Sequence, residues 1–298
     1  MVFTQGKNVQ ADLICQFDFC QQVLQALRRA DLPAGAGIGQ ALTAVRPLRK
    51  RGMAQLLAPD EPPAADVRLG LLPSDLSRHI AWDPGAAEIA THLAARLSAA
   101  LVLQRYSRLA IDCNRAPELP DAIATLSEDT AIPGNAALGT AARTARIRAI
   151  WAPFPGALEA LLDRRRAARR PSALVTVHTF TPVWRGMARP WHVGLVSTAD
   201  RRLAEPMLAA LRREPDLVVG DNHPYSPADN VDYTIRRHGL ERGLAHVMIE
   251  VRNDLVASED GQHAWAMRLA AVLDAPECRQ VAAASLAGSP SRPGPSPA

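Results

Sequence analysis

Lysine is almost missing from this 298-residue chain. Lys7 and Lys50 are the only two among 34 Lys and Arg residues, so arginine carries the net charge of +4. Arginine's planar fork suits bidentate recognition of carboxylates, where lysine acts as a point charge. Aromatic residues are also scarce, at 4%, which leaves Leu, Ala and Val to pack the core that a 48% hydrophobic content makes ample. The four cysteines (Cys15, Cys20, Cys113, Cys278) contain no C-x-x-C pair, which argues against a zinc ribbon or disulfide framework and points to a reducing compartment. No run approaches the roughly 18 apolar residues of a membrane helix. Asp12 and Asp18 fall where a signal peptide would need hydrophobes. The expectation is a soluble, cytoplasmic protein with no membrane partner. A G-x-S-x-G elbow is missing, which sets a serine hydrolase aside. Gly35, Gly37 and Gly39 follow a helical pattern and not a strand, so they miss the dinucleotide fingerprint.

What is present reads as α/β. The basic cluster Arg164-Arg165-Arg166 and Arg169-Arg170 follows Ala157 to Leu162. It reads as the solvated last turns of a helix, favoured there by the dipole, and not as a nucleic-acid surface. Residues 1–55 read as an atypical N-terminal segment, poorly ordered or loosely packed, with an amphipathic stretch from Phe17 to Arg29. Residues 56–276 read as one domain, and 277–298 as a disordered Ser/Pro/Gly-rich tail. Within the domain, Gly85 opens a helix carrying Ile89, Leu93 and Leu97 at i+4 spacing. Strands are expected at 100–104, 108–112, 174–177, 217–219 and 246–251. Helices are expected after Asp200, over 233–242 and over 262–275. Such alternation implies a mixed, largely parallel sheet flanked by helices.

Four stretches stand out chemically. His178 ends the apolar strand Leu174 to Val177, at the sheet edge where open α/β folds bind ligands, and Arg189, Trp191 and His192 follow closely. In the strand 246–252, Val247, Ile249 and Val251 share one face, while Met248, Glu250 and Arg252 share the other. A carboxylate in so apolar a strand is expensive. Glu250 is therefore either a structural ion-pair partner of Arg252 or a general base with a tuned pKa. Around 106–115 a strand ends in Asp112, Asn114 and Arg115, three groups able to hold a carboxylate or to orient one another. Asp83 precedes Pro84, a position that also suits a helix N-cap. The loop 219–225 concentrates Asp221, Asn222 and His223.

Taken together, HIAWDPGA (79–86), YSRLAIDCNR (106–115), the segment around Pro133, VHTFTPV (177–183), RPWHVGL (189–195), GDNHPY (220–225) and IEVRNDL (249–255) resemble the N-formylglutamate amidohydrolase family, in the same order. The resemblance implies a three-layer sandwich with a mixed, largely parallel sheet, a branch of the zinc carboxypeptidase-like fold. It also implies zinc-activated water attacking the amide of an N-formyl or N-acyl amino acid, with N-formylglutamate the leading substrate. On that footing His178 matches a metal-ligand histidine, with Asp83 and His79 as further metal candidates. Asn114 and Arg115 match a pair that holds the substrate carboxylate, with Arg108, Arg189 and His192 as additional substrate contacts. Glu250 matches the glutamate that moves protons. The partner is thus a small N-acyl amino acid and not a nucleic acid; the oligomeric state stays open.

The chain departs from the family pattern at three places. Relatives carry an Asp/Glu-His-Ala-Gly/Ser-Asn-like strand end before HIAWD that supplies the first metal histidine, yet no histidine precedes His79 here. His223 stands where the GDNEPY-type loop has glutamate. Pro153-Phe154-Pro155 replaces Pro-Tyr-His. A catalytic zinc normally takes three protein ligands, so weak zinc binding is expected unless His79, Asp83 or His223 completes the site. The alternative function is accordingly a catalytically impaired relative that keeps the fold and the carboxylate-binding residues.

Overall fold

A computed structural model describes residues 69–227 and 232–285, together with the backbone of three short N-terminal strands. Those strands are β1 (Val2–Thr4), β2 (Lys7–Val9) and β3 (Asp12–Cys15). The rest of residues 1–68, including the stretch from Phe17 to Arg29, lies outside the described residues.

Two eight-residue strands form the middle of the molecule. β7 (Ala173–Phe180) is buried along its whole length, and β12 (Ala245–Arg252) along all but its last residue. They run parallel, Ala245 opposite Ala173 through Arg252 opposite Phe180. Their β-branched runs suit a sheet covered on both faces. The six-stranded sheet has the order β11 (Val219–Asp221), β10 (Val193–Val196), β12, β7, β3, β4 (Ala100–Leu103). Only the β10–β12 pairing is antiparallel, so the sheet is mixed and mostly parallel, as the alternating pattern implies. β3, from the N-terminal segment, is wedged between β7 and β4, with Leu13 opposite both Val175 and Leu101.

Helices cover both faces. Val175, Val177, Val247, Ile249 and Val251 bury one side against α2 (Ala86–Leu97), α6 (Ala204–Leu211) and α7 (Glu259–Leu273). Leu174 and Val102 bury the other against α5 (Pro153–Ala167). Four more α-helices bring the number among the described residues to eight: α1 (Pro73–Leu76), α3 (Pro133–Ala136), α4 (Thr140–Arg146) and α8 (Pro276–Ala284). Separate two-stranded antiparallel ribbons are formed by β5 (Leu126–Ser127) with β6 (Thr130–Ala131) and by β8 (Val183–Trp184) with β9 (Met187–Ala188).

Several sequence expectations need correction. Residues 108–112 are a set of turns, because Ala110 N–H returns to the Ser107 carbonyl and Leu109 N–H to the Ser107 hydroxyl. The helix after Pro84 has Gly85 as its N-cap, at φ 82°, and Asp83 is not a cap at all. A β-carbon on Gly85 would lie 2.7 Å from Val256, so glycine is required there by packing as well as by backbone angle. Asp200 binds Arg202 in place of capping α6, whose N-cap is Leu203. Residues 233–242 are helical as expected, although the winding changes along them, from α at Tyr233 and Thr234 to π over Ile235–Gly239 and 3-10 over Leu240–Arg242. The boundary of the tail also moves: α8 occupies 276–284 because Cys278 and Ala282 pack into the main core. Residues beyond 285 lie outside the described residues.

His238 gives the fold a pH dependence. It is buried on the turn Ile235–Gly239, and neither ring nitrogen has a hydrogen-bond partner among the described residues. Burial, followed by Arg242 and Arg237, pushes its pKa down to about 4. The unfolded chain takes up this proton near 6.5, so the neutral ring's contribution is present above that pH and is lost as pH falls toward 4. The full effect is about 3 kcal/mol. His238→Phe should flatten this part of the acid limb. Chemical denaturation of both proteins at pH 7 and pH 4.5 checks it, and parallel pH profiles would remove His238 from the account.

Candidate functional site

The in-register pairing of β7 with β12 sets Glu250 directly opposite His178. Side chains at paired positions of adjacent strands emerge on the same face a few ångströms apart. Both are nearly enclosed, with 6% of His178 and 4% of Glu250 exposed. His178 Nδ1 lies 2.8 Å from Asp83 Oδ2. Arg108 donates to the other oxygen of Asp83, in an ion pair that leaves Asp83 nearly buried. The helix-opening segment thus delivers a carboxylate to the far end of β7, across 95 residues of sequence.

Two polar atoms in this cluster are left over. His178 Nε2 and Glu250 Oε2 are buried and have no hydrogen-bond partner among the described residues. Such atoms are rare in native proteins because each forfeits its hydration. Burial lowers the His178 pKa and keeps the ring neutral, and Asp83 then fixes the proton on Nδ1, so Nε2 is the lone-pair acceptor. Burial raises the Glu250 carboxyl to about 7, against the opposing pull of His178, Arg108 and Arg189. At neutral pH the pair therefore offers an acceptor nitrogen and a carboxyl poised between its two protonation states. That suits proton transfer to and from a bound molecule.

The ion-pair reading of Glu250 is not what the structure contains. Arg252 instead pairs with Asp254 at 2.8 Å and donates to the Pro190 carbonyl. Asn114 holds the start of the helical segment at 233–234: its side-chain oxygen accepts from Thr234 N–H at 2.9 Å. Arg115 is occupied by Asp121 at 2.7 Å and Asp112 at 3.4 Å. His192 sits at the entry to β10, where its Nδ1 accepts from Val218 N–H. His79 faces Glu128, 3.5 Å away. His223 is exposed and stacks on Trp191 at 4.6 Å. Its carbonyl fills the space beside Gly194 and Gly220. A β-carbon at Gly194 would come within 1.8 Å of it, so this loop can lie on the sheet only over glycine.

Of the residues picked out in the sequence, the structure thus brings Asp83, Arg108, His178 and Glu250 together. It places Asn114, Arg115, His192, His79 and His223 in other contacts. Reading the sequence missed a group around Arg189. Its guanidinium is 5.1 Å from the Tyr225 ring, 5.4 Å from Trp184 and 5.9 Å from Phe180, and it donates to the Tyr225 hydroxyl. The only sequence signal was that these rings fall in or beside the motifs containing His178, Arg189 and His223.

The donor set does not complete a metal site. Among the described residues no three His, Cys, Asp or Glu gather to hold an ion. Asp83 already serves His178 and Arg108, so His178 Nε2 and Glu250 Oε2 are the two open donors, one short of the usual three. Among the described residues no helix is long and apolar enough to cross a membrane.

Comparison with known proteins bears on the family and the fold. The family model described as N-formylglutamate amidohydrolase matches residues 61–257. Among curated proteins, none matches the chain. Among solved structures, a gene product of Agrobacterium tumefaciens is 36% identical, with 89% of each chain covered and a TM-score of 0.71. The N-formylglutamate amidohydrolase of Ralstonia eutropha is 15% identical over 94% of this chain and 95% of its own, with a TM-score of 0.55, a likeness of fold alone. The family model spans well over half of the sequence, and the chain belongs to the N-formylglutamate amidohydrolase family.

Proposed function

We propose that this chain hydrolyses the amide bond of an N-formyl or N-acyl amino acid, with N-formylglutamate the leading substrate, releasing formate and glutamate. One observation carries the reading: two buried, unpartnered atoms, Glu250 Oε2 and His178 Nε2, face one another's strands with a proton to share near neutral pH. Amide hydrolysis needs a base for the attacking water and an acid for the leaving amine. An ionised Glu250 takes the water proton and, once protonated, returns it to the amine. His178, held by Asp83, orients the water through Nε2.

Family resemblance adds zinc as the electrophile for the carbonyl, but the donors among the described residues do not fit it. The same shortfall favours a second reading, a relative with impaired catalysis that keeps the fold and the anion-binding groups. One experiment separates the two. Formate release from N-formylglutamate is measured with and without added zinc, alongside the zinc content of the purified protein. Turnover in either condition supports the hydrolase. No formate in either, from folded protein, supports the impaired relative. One tightly held zinc per chain would overturn the donor count.

A further inference from the structure

The guanidinium groups near Glu250 differ in what they are free to do. Arg108 is engaged by Asp83, and Arg115, farther along the chain, is engaged by Asp121 and Asp112. Arg189 has no carboxylate partner among the described residues, although it is close enough to bias the charge of Glu250. It is nevertheless held in place. Phe180 at the end of β7, Trp184 in β8 and Tyr225 in the 222–225 loop bring three rings within 6 Å of it. Ring faces stabilise a cation without using its N–H donors. One donor goes to the Tyr225 hydroxyl at 3.3 Å, and the others remain for a ligand. Because that hydroxyl accepts from Arg189, its own proton can be donated to the same ligand. Tyr225 stays protonated, its pKa raised first by burial. The result is a fixed cation and a phenol beside the proton-handling pair, a geometry that fits one carboxylate.

We propose that Arg189, assisted by Tyr225, reads the α-carboxylate of an N-acyl amino acid, and that this single anchor leaves the site tolerant of the side chain. The inference rests on the amide-hydrolase reading for its ligand class. N-formylglutamate carries two carboxylates, whereas Arg189 is the one guanidinium held by Phe180, Trp184 and Tyr225 together; the exposed Arg185 lies over Trp184 alone among the described residues, 5.0 Å from its ring. The α-carboxylate is the one every N-acyl amino acid presents at a fixed distance from its amide, so it is the group a rigid anchor beside Glu250 can use. Selection for glutamate's second charge would need another cation held as Arg189 is, and Arg185 lies exposed in the turn between β8 and β9.

Calorimetric binding decides it, with three ligands: N-formylglutamate, N-formylglutamine and N-formylisoglutamine, the last having its α-carboxylate amidated. The natural protein should bind the first two within about threefold of each other and the third at least tenfold more weakly. Arg189→Gln should erase the preference for a free α-carboxylate, and Arg189→Lys should restore part of it, since charge returns without the fork. Arg115→Lys should leave the pattern unchanged. Four results overturn the proposal: a tenfold or greater preference for N-formylglutamate over N-formylglutamine, an Arg189→Gln protein that keeps its α-carboxylate preference, a loss in Arg115→Lys equal to that in Arg189→Gln, or no binding of any of the three. Formate measured in the same samples keeps the two readings apart. Binding with the expected pattern but without formate release leaves Arg189 in its role and removes the hydrolase.

Discussion

Glu250→Gln should lower formate release by about a hundredfold or more and, at the same time, stabilise the protein above neutral pH. Both effects have one cause. Gln keeps the size and much of the hydrogen bonding of Glu250 but can neither take nor return a proton. The carboxyl it replaces is buried on β12 with a pKa of about 7, against an ordinary value of 4.5. The sign follows from proton uptake: the folded protein holds this proton to higher pH than the unfolded chain does. Stability from this group is therefore complete below about 4.5 and declines as pH rises through 7. The loss amounts to about 3 kcal/mol once the carboxylate is charged. A neutral amide at position 250 does not incur it. Melting temperatures at pH 5 and pH 8, paired with turnover, test the claim. The natural protein should lose stability between those values more steeply than Glu250→Gln. Equal turnover in the two proteins would return Glu250 to a structural role, and equal pH slopes would contradict its burial as an acid.

How much of this was legible in the sequence depends on whether a feature is local. The helix carrying Ile89, Leu93 and Leu97 and the alternating strand around Glu250 follow from periodicity, and both lie where the pattern puts them. The turns at 108–112 were not legible. Leu109, Ala110 and Ile111 look like a strand, and only the Ser107 bonds and the pairing of Asp112 N–H with the Ala122 carbonyl reveal otherwise. The place of β3 was equally hidden, because a four-residue strand acquires its position from Ala100–Leu103 and Leu174–Val175, far along the chain.

The candidate site divides in the same way. Glu250 and His178 were visible as polar groups in apolar strands, and the motifs supplied Asp83. What the motifs could not supply was the partner of each charge. Asp112 and Asp121 stand three residues before and six after Arg115, so its occupation was in principle readable from nearby carboxylates. The freedom of Arg189 was not, since its rings come from three separate segments.

Asp83→Asn should cost both activity and stability, because the substituted side chain cannot satisfy its two neighbours together. Asp83 accepts from His178 Nδ1 at one oxygen and from Arg108 at the other. An asparagine whose oxygen faces His178 turns its NH2 toward a guanidinium, two donors opposed. Rotated the other way, it donates to Nδ1 and moves the imidazole proton to Nε2, which then can no longer accept from water. An equivalent substitution in the serine-protease triad, where an aspartate also fixes the tautomer of a histidine, lowers turnover about ten-thousandfold. A fall of at least roughly a thousandfold is expected here on the same grounds. Removing one partner of a buried pair typically costs 3–5 kcal/mol. The expected loss is smaller, about 2 kcal/mol, because 36% of the Arg108 side chain remains exposed to water. Turnover and urea denaturation measure the two losses, and nitrogen NMR of the His178 ring shows which nitrogen carries the proton. Formate release within tenfold of the natural protein, with the proton still on Nδ1, would mean that Asp83 serves the fold at the end of β7 and leaves the chemistry to Glu250 alone.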